Sequence, residues 1–88
     1  MFLLLSNPTS GGGKGKYITS QVIKALNARD VNFIDISGTS YESASANLAN
    51  AIATRSVPGI ILIGGDGMVH LAIQQVANSN IPILLIPA

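Results

Sequence analysis

Residues 59–70 read Gly-Ile-Ile-Leu-Ile-Gly-Gly-Asp-Gly-Met-Val-His. Gly59 to Ile63 is apolar without alternation, the pattern of a strand covered on both faces in a parallel sheet. The glycine-rich turn that follows leads into Val69, Ala72, Ile73 and Val76, spaced as one face of a helix. A buried strand that turns through glycines into an amphipathic helix is the repeating unit of an α/β fold.

The same unit recurs on either side. Phe2 to Ser6 is a near-continuous leucine run, followed by a second glycine-rich loop and by Ile18, Val22, Ile23 and Leu26 at helical spacing. Val31 to Ile36 (VNFIDI) comes next, then the stripe Ala44, Leu48, Ala51 and Ile52; Ile81 to Ile86 (IPILLI) closes the series. Each connection exceeds about a dozen residues, enough for a right-handed crossover to a parallel neighbour. The expected fold is therefore α/β: a three-layer α/β/α open parallel sheet, βαβαβαβ, Rossmann-like, with strand order 2-1-3-4. The first, third and fourth runs should be covered on both faces. The second, broken by Asn32 and Asp35, should be an edge. The first helix should begin near Gly15 and the third at Gly67. Pro58 and Pro82 fall near strand starts, and Pro8 and Pro87 just beyond strand ends.

Composition bounds the function. The 88 residues allow one domain at most. Apolar residues make up 48% and charged residues 10%, against about 25% in ordinary domains. The mean hydropathy of +0.47 is high for a free-standing soluble domain and fits a part of something larger. A net charge of +1 excludes a nucleic-acid binder that works by charge. No apolar run approaches the roughly 20 residues that span a bilayer. Without cysteine there is no disulfide, zinc knuckle or thiolate chemistry. The N-terminus lacks the basic start of a signal peptide, so the expected location is cytoplasmic.

Seven of the nine glycines fall in two loops, at positions 11, 12, 13 and 15 and at 64, 65 and 67. Each loop follows a strand and opens a helix, where exposed N–H groups and the helix dipole favour an anion. With strand order 2-1-3-4 both loops line the crevice at the switch point, and two such loops imply a polyphosphate ligand, most simply a nucleotide. The first loop, SNPTSGGGKGK, is neither a Walker A motif nor GxGxxG. Asp66, the one carboxylate in either loop, has two readings: a magnesium-linked or proton-accepting group beside a transferred phosphoryl, or a cap on the third helix. His70 reads more readily as a satisfied, half-buried polar residue than as a catalytic one. Thr39 reads equally as a nucleotide contact or as a loop or N-cap hydroxyl. Lys14 and Lys16 read first as solvated charges and second as phosphate contacts.

Asn7-Pro8-Thr9-Ser10-Gly11 resembles the NPxSG segment, and Gly64-Gly65-Asp66-Gly67 the GGDG segment, of the diacylglycerol kinase catalytic domain family. That family includes bacterial lipid kinases and sphingosine kinases and is more distantly related to NAD kinases. The resemblance spans the whole chain and corresponds to the front part of the family's domain. It implies ATP contacts from Asn7, Pro8, Thr9, Ser10 and Gly11, from Thr39, and from Gly64, Gly65, Asp66, Gly67, Met68 and His70. It implies that Asp66 is the acidic residue required for phosphoryl transfer, through Mg²⁺ held directly or indirectly. Two positions depart from the family: Met68 stands where threonine is common, and Leu71 where glutamate is frequent.

The resemblance further implies that residues 1–88 form the N-terminal ATP-binding part of a lipid kinase whose β-sandwich lipid domain lies outside this sequence. The parent would transfer the γ-phosphate of ATP to a diacylglycerol or sphingosine-like hydroxyl, with peripheral contact at the inner face of the membrane. Residues 1–88 alone should be inactive, and a surface left uncovered should favour homo-oligomers. An NAD kinase-like enzyme and a non-catalytic nucleotide-binding module are the alternatives.

Overall fold

The computed structural model describes residues 1–6, 14–77 and 79–87. Strands β1 (Phe2–Ser6), β2 (Phe33–Asp35), β3 (Ile60–Gly64) and β4 (Ile83–Pro87) form one sheet in the order β2-β1-β3-β4. Every pairing is parallel. Helices α1 (Lys14–Ala28), α2 (Tyr41–Thr54) and α3 (Asp66–Val76) alternate with the strands. This is the three-layer α/β/α sheet, in the strand order, that the sequence predicts.

Side chains alternate between faces along a strand, so the register fixes which layer each one enters. Leu3 pairs with Ile60 and Leu5 with Leu62, and these four pack with Leu48 of α2 and Leu71 and Ala72 of α3. Leu4 and Ile61, paired in turn, point the other way with Ile63, against Ile18, Val22, Ile23 and Leu26 of α1. β1 and β3 are thus covered on both faces, which is why their sequences do not alternate. Leu62 is fully buried at the centre of this arrangement. Leu62→Ala is expected to lower the unfolding free energy by about 2–5 kcal/mol, read as a shifted denaturant midpoint at constant slope.

β4 departs from the sequence reading. Its two central leucines are open to solvent, Leu84 by 60% and Leu85 by 44%. The strand order places β4 at the rim, where Ile83 and Ile86 are half-buried against the two core clusters while Leu84 and Leu85 are left open. An apolar run without alternation therefore identified a strand correctly but not its cover. β2 is the other edge, as expected, and is shorter than its run.

Two smaller differences concern α3 and β4. The buried residues of α3 are Met68, Leu71, Ala72 and Val76, whereas Ile73 is 52% exposed. The helix starts at Asp66, one residue before Gly67, and turns a face centred on Met68 and Ala72 towards the sheet. Pro87 lies within β4 and pairs with Gly64; an edge strand tolerates the missing donor. α1 starts at Lys14 and ends in a turn where Val31 N–H donates to Leu26 O across Asp30, whose φ of 55° is left-handed.

Candidate functional site

The order β2-β1-β3-β4 makes β1 and β3 neighbours whose helices leave on opposite faces, α1 on one and α3 on the other. That junction is the switch point of an open α/β sheet. Ser6 ends β1 beside Ile63, and Gly64 ends β3 beside Pro87, so both strands deliver their following loops to one stretch of the sheet's carboxyl edge. Asn7, Pro8, Thr9, Ser10 and Gly11, together with Gly12 and Gly13, lie outside the described residues.

The second loop is built by the N-terminus of α3. Gly65 is its N-cap, with extended backbone at φ −108° and ψ −159°. Met68 and Val69 N–H donate to Gly65 O at 3.1 and 3.2 Å. The N–H groups of Asp66 and Gly67, one and two residues into the helix, have no acceptor within it, as first-turn amides never do. They sit at the positive end of the helix dipole.

The glycines of this edge fall into two kinds. A Cβ on Gly64 would lie 2.7 Å from Met68 Cγ and 3.1 Å from its Cβ, too close for either. A Cβ on Gly38 would strike Ser43 Oγ and lie 2.7 Å from Ala44 N. Crowding disfavours a side chain at both, and at Gly64 the backbone φ of 159° adds to it. Gly64→Ala is expected to destabilise by about 1–3 kcal/mol through overpacking, measurable as a lower thermal midpoint. Gly65 and Gly67 are different, because among the described residues a Cβ at either would meet nothing within 4 Å. Neither shows a positive φ. Gly67 lies inside a helix, where glycine costs about 1 kcal/mol relative to alanine.

Asp66 is the first residue of α3 and exposed. The alternative that it caps the helix is corrected: Gly65 holds the N-cap position, and among the described residues no side chain caps α3. Among the described residues no three His, Cys, Asp or Glu side chains come together, so Asp66 belongs to no ready-made metal cage. A lone carboxylate suits Mg²⁺, which keeps several waters and shares itself with substrate phosphates.

The remaining candidates are placed as follows. Met68 is buried in the core against Gly64, so its backbone borders the loop while its side chain does not. Leu71, the other departure from the family pattern, is buried in the same cluster. His70, read as a satisfied, half-buried polar residue, is instead exposed, with its Nε2 3.1 Å from Gln74 Nε2 one turn on. Thr39 is exposed in the bend after β2. The N-cap of α2 is Ser40, which forms a capping box with Ser43, so the capping role read for Thr39 passes to its neighbour. Lys14 and Lys16 are both exposed. Lys16 borders a cleft of about 410 Å³ between α1 and the ends of β1 and β2, with Ser6, Thr19, Lys24, Asp35 and Ser37.

Sequence reasoning missed a run of hydroxyls below this edge. Ser6 Oγ lies 2.6 Å from Thr19 Oγ1, and Ser6 N–H donates to Ser37 Oγ at 2.8 Å. The available signal was Ser6 itself, a polar residue that ends an otherwise apolar strand and is buried there.

Residues 1–88 match the model of the family described as "Diacylglycerol kinase catalytic domain". The chain is also 36% identical over 84 residues to proteins named diacylglycerol kinase from two Mycobacterium tuberculosis strains, CDC 1551 / Oshkosh and ATCC 25618 / H37Rv. Each match covers 96% of this chain and 27% of the relative. The chain thus spans about a quarter of the length of the curated relatives it matches.

Proposed function

Because the chain belongs to the diacylglycerol kinase catalytic domain family, we propose that residues 1–88 form the N-terminal, ATP-binding part of a lipid kinase. The parent enzyme transfers the γ-phosphate of ATP to the hydroxyl of diacylglycerol or a sphingosine-like lipid. The observation that carries this reading is the open backbone at Gly65 and Gly67, on the N-terminus of α3 at the switch point. Polyphosphate oxygens can approach there to accept from the Asp66 and Gly67 N–H groups.

The residues present fit both ATP and Mg²⁺. Asn7 to Gly11 would hold the nucleotide from the β1 side, Thr39 from the flank, and Gly64 to His70 from the β3 side. Mg²⁺, when bound, neutralises charge on the transferring phosphoryl group. The Asp66 carboxylate would hold it directly or through water, and would keep the lipid hydroxyl and the phosphate in register. Catalysis then rests on positioning and charge neutralisation, with no covalent intermediate on the protein.

A further part of the protein would supply the lipid site, a β-sandwich domain in this reading. The uncovered rim of β4, with Leu84 and Leu85, is suited to be covered by such a part. Left bare, it would favour association between copies. No helix among the described residues is long and apolar enough to cross a membrane. We place the enzyme in the cytoplasm, touching the inner face of the membrane to reach its substrate.

The test is a phosphotransfer assay on the full-length protein with Mg-ATP and, separately, diacylglycerol, sphingosine or NAD as acceptor. The expected product is a phosphorylated lipid, lost when magnesium is chelated. Phosphorylation of NAD alone would replace the lipid-kinase reading with the NAD kinase-like one. Nucleotide binding with no transfer to any acceptor would favour a non-catalytic module.

A further inference from the structure

The bend after β2, which carries Thr39, is tied to the fold residue by residue. Ile36 N–H donates to Leu4 O at 2.9 Å and so carries the ladder with β1 one step past the end of β2. Ile36 O accepts from Asn47 Nδ2 of α2 at 3.0 Å. Ser37 N–H donates to Asp35 Oδ1 at 2.9 Å, and Ser37 Oγ accepts from Ser6 N–H at 2.8 Å. Gly38 lies so close to the first turn of α2 that a Cβ there would strike Ser43 Oγ, and Ser40 is the N-cap of that helix. Thr39 stands between Gly38 and Ser40, exposed.

Most of these ties serve local structure: a turn after a strand, a buried serine amide, a helix cap. The Asn47 tie does not. Asn47 is exposed in the second turn of α2, where asparagine is a poorer helix former than alanine. Its bond to Ile36 O is itself exposed, so water could satisfy that carbonyl instead. A carbonyl only accepts, which fixes the amide with its nitrogen towards Ile36. What the contact adds is position, since it joins the bend to the side of α2.

We propose that Asn47 is a positioning residue: through Ile36 O it holds the bend after β2 against α2, and so sets where the Thr39 hydroxyl stands beside the end of β1. The proposal rests on the nucleotide reading given above, in which Thr39 contacts ATP from the flank. A contact group already held in place loses less conformational freedom on binding, so Asn47 acts on nucleotide affinity and not on the chemical step.

In the full-length protein, Asn47→Ala and Asn47→Leu, the second keeping the branched shape without the donor, are each expected to raise the Kd and KM for Mg-ATP about fivefold. That is the worth of one ordinary hydrogen bond, and kcat should be unchanged. Both replacements are better helix formers, which offsets the lost bond, so thermal midpoints should stay within a few degrees of wild type. Thr39→Val should raise the Kd by a similar factor and Thr39→Ser should not. With Thr39→Val in place, adding Asn47→Ala should cost nothing further, as for residues that act through one contact.

Unchanged ATP affinity in both Asn47 variants, beside a loss in Thr39→Val, would overturn the positioning role and leave the nucleotide reading standing. An Asn47→Ala effect that adds in full to that of Thr39→Val would overturn it too, as would an unchanged Kd in Thr39→Val. A wild-type protein that binds no Mg-ATP would remove the nucleotide reading and the role of Asn47 with it.

Discussion

Asp66→Asn in the full-length protein is expected to lower kcat by at least about 10²–10³-fold, the usual loss when a charge placed at the reacting centre is removed. Thermal stability should change by no more than a few degrees. Asp66 is exposed, caps nothing and makes its structural contribution through the helix dipole alone, worth about 0.3–1 kcal/mol. The comparison to make is steady-state phosphotransfer beside thermal unfolding on the same preparation. Turnover within a few-fold of wild type would remove Asp66 from the reaction.

Gly67→Ala is expected to have opposite effects on the fold and on the ligand. Among the described residues a methyl group at this position meets nothing within 4 Å, and alanine is the better helix former by up to about 1 kcal/mol, so the fold should gain stability. The same methyl would project from the first turn of α3, where in the proposed function phosphate comes close to backbone N–H groups. ATP affinity should fall by at least about tenfold, since one good contact to a charged group is worth that much. Calorimetric titration paired with a denaturant curve reads both. A variant that is more stable and binds ATP unchanged would mean that no ligand approaches this backbone. Gly64→Ala is the internal contrast, because there the loss of stability comes first.

The strand order and the layers were legible because they follow from patterning. The continuous apolar runs at β1 and β3 can be buried on both sides only in the middle of a parallel sheet, and crossovers of this length have one hand. β4 carries the same kind of run yet lies at the rim, because burial there depends on what lies beyond the edge, which a local pattern does not encode. The face of α3 was misjudged by one residue. Val69 and Ile73 are as apolar as Met68 and Leu71, so local pattern does not choose between the stripes; Val69 is still half-buried against the core and only Ile73 is turned out.

The glycine-rich turn into α3 was legible by spacing, whereas Gly15, read into the first loop, is buried in α1, and the distinction among the glycines was not legible. That Gly64 and Gly38 serve packing while Gly65 and Gly67 stand open depends on neighbours brought together by the fold. The hydroxyl chain through Ser6 stayed hidden for the same reason. Its partners Thr19 and Ser37 are distant in sequence, and each looks like an ordinary helix or loop residue.

The central claim is that a polyphosphate nucleotide sits across the carboxyl ends of β1 and β3. Its most direct test is a titration of isotope-labelled protein with Mg-ATP, followed through backbone amide resonances. Shifts concentrated at residues 7–11 and at Gly64 to His70, largest for the Asp66 and Gly67 amides, are the predicted result. Saturating Mg-ATP that leaves those amides unmoved, or that moves the opposite edge of the sheet around Phe2, Gly59 and Pro82 instead, would contradict it.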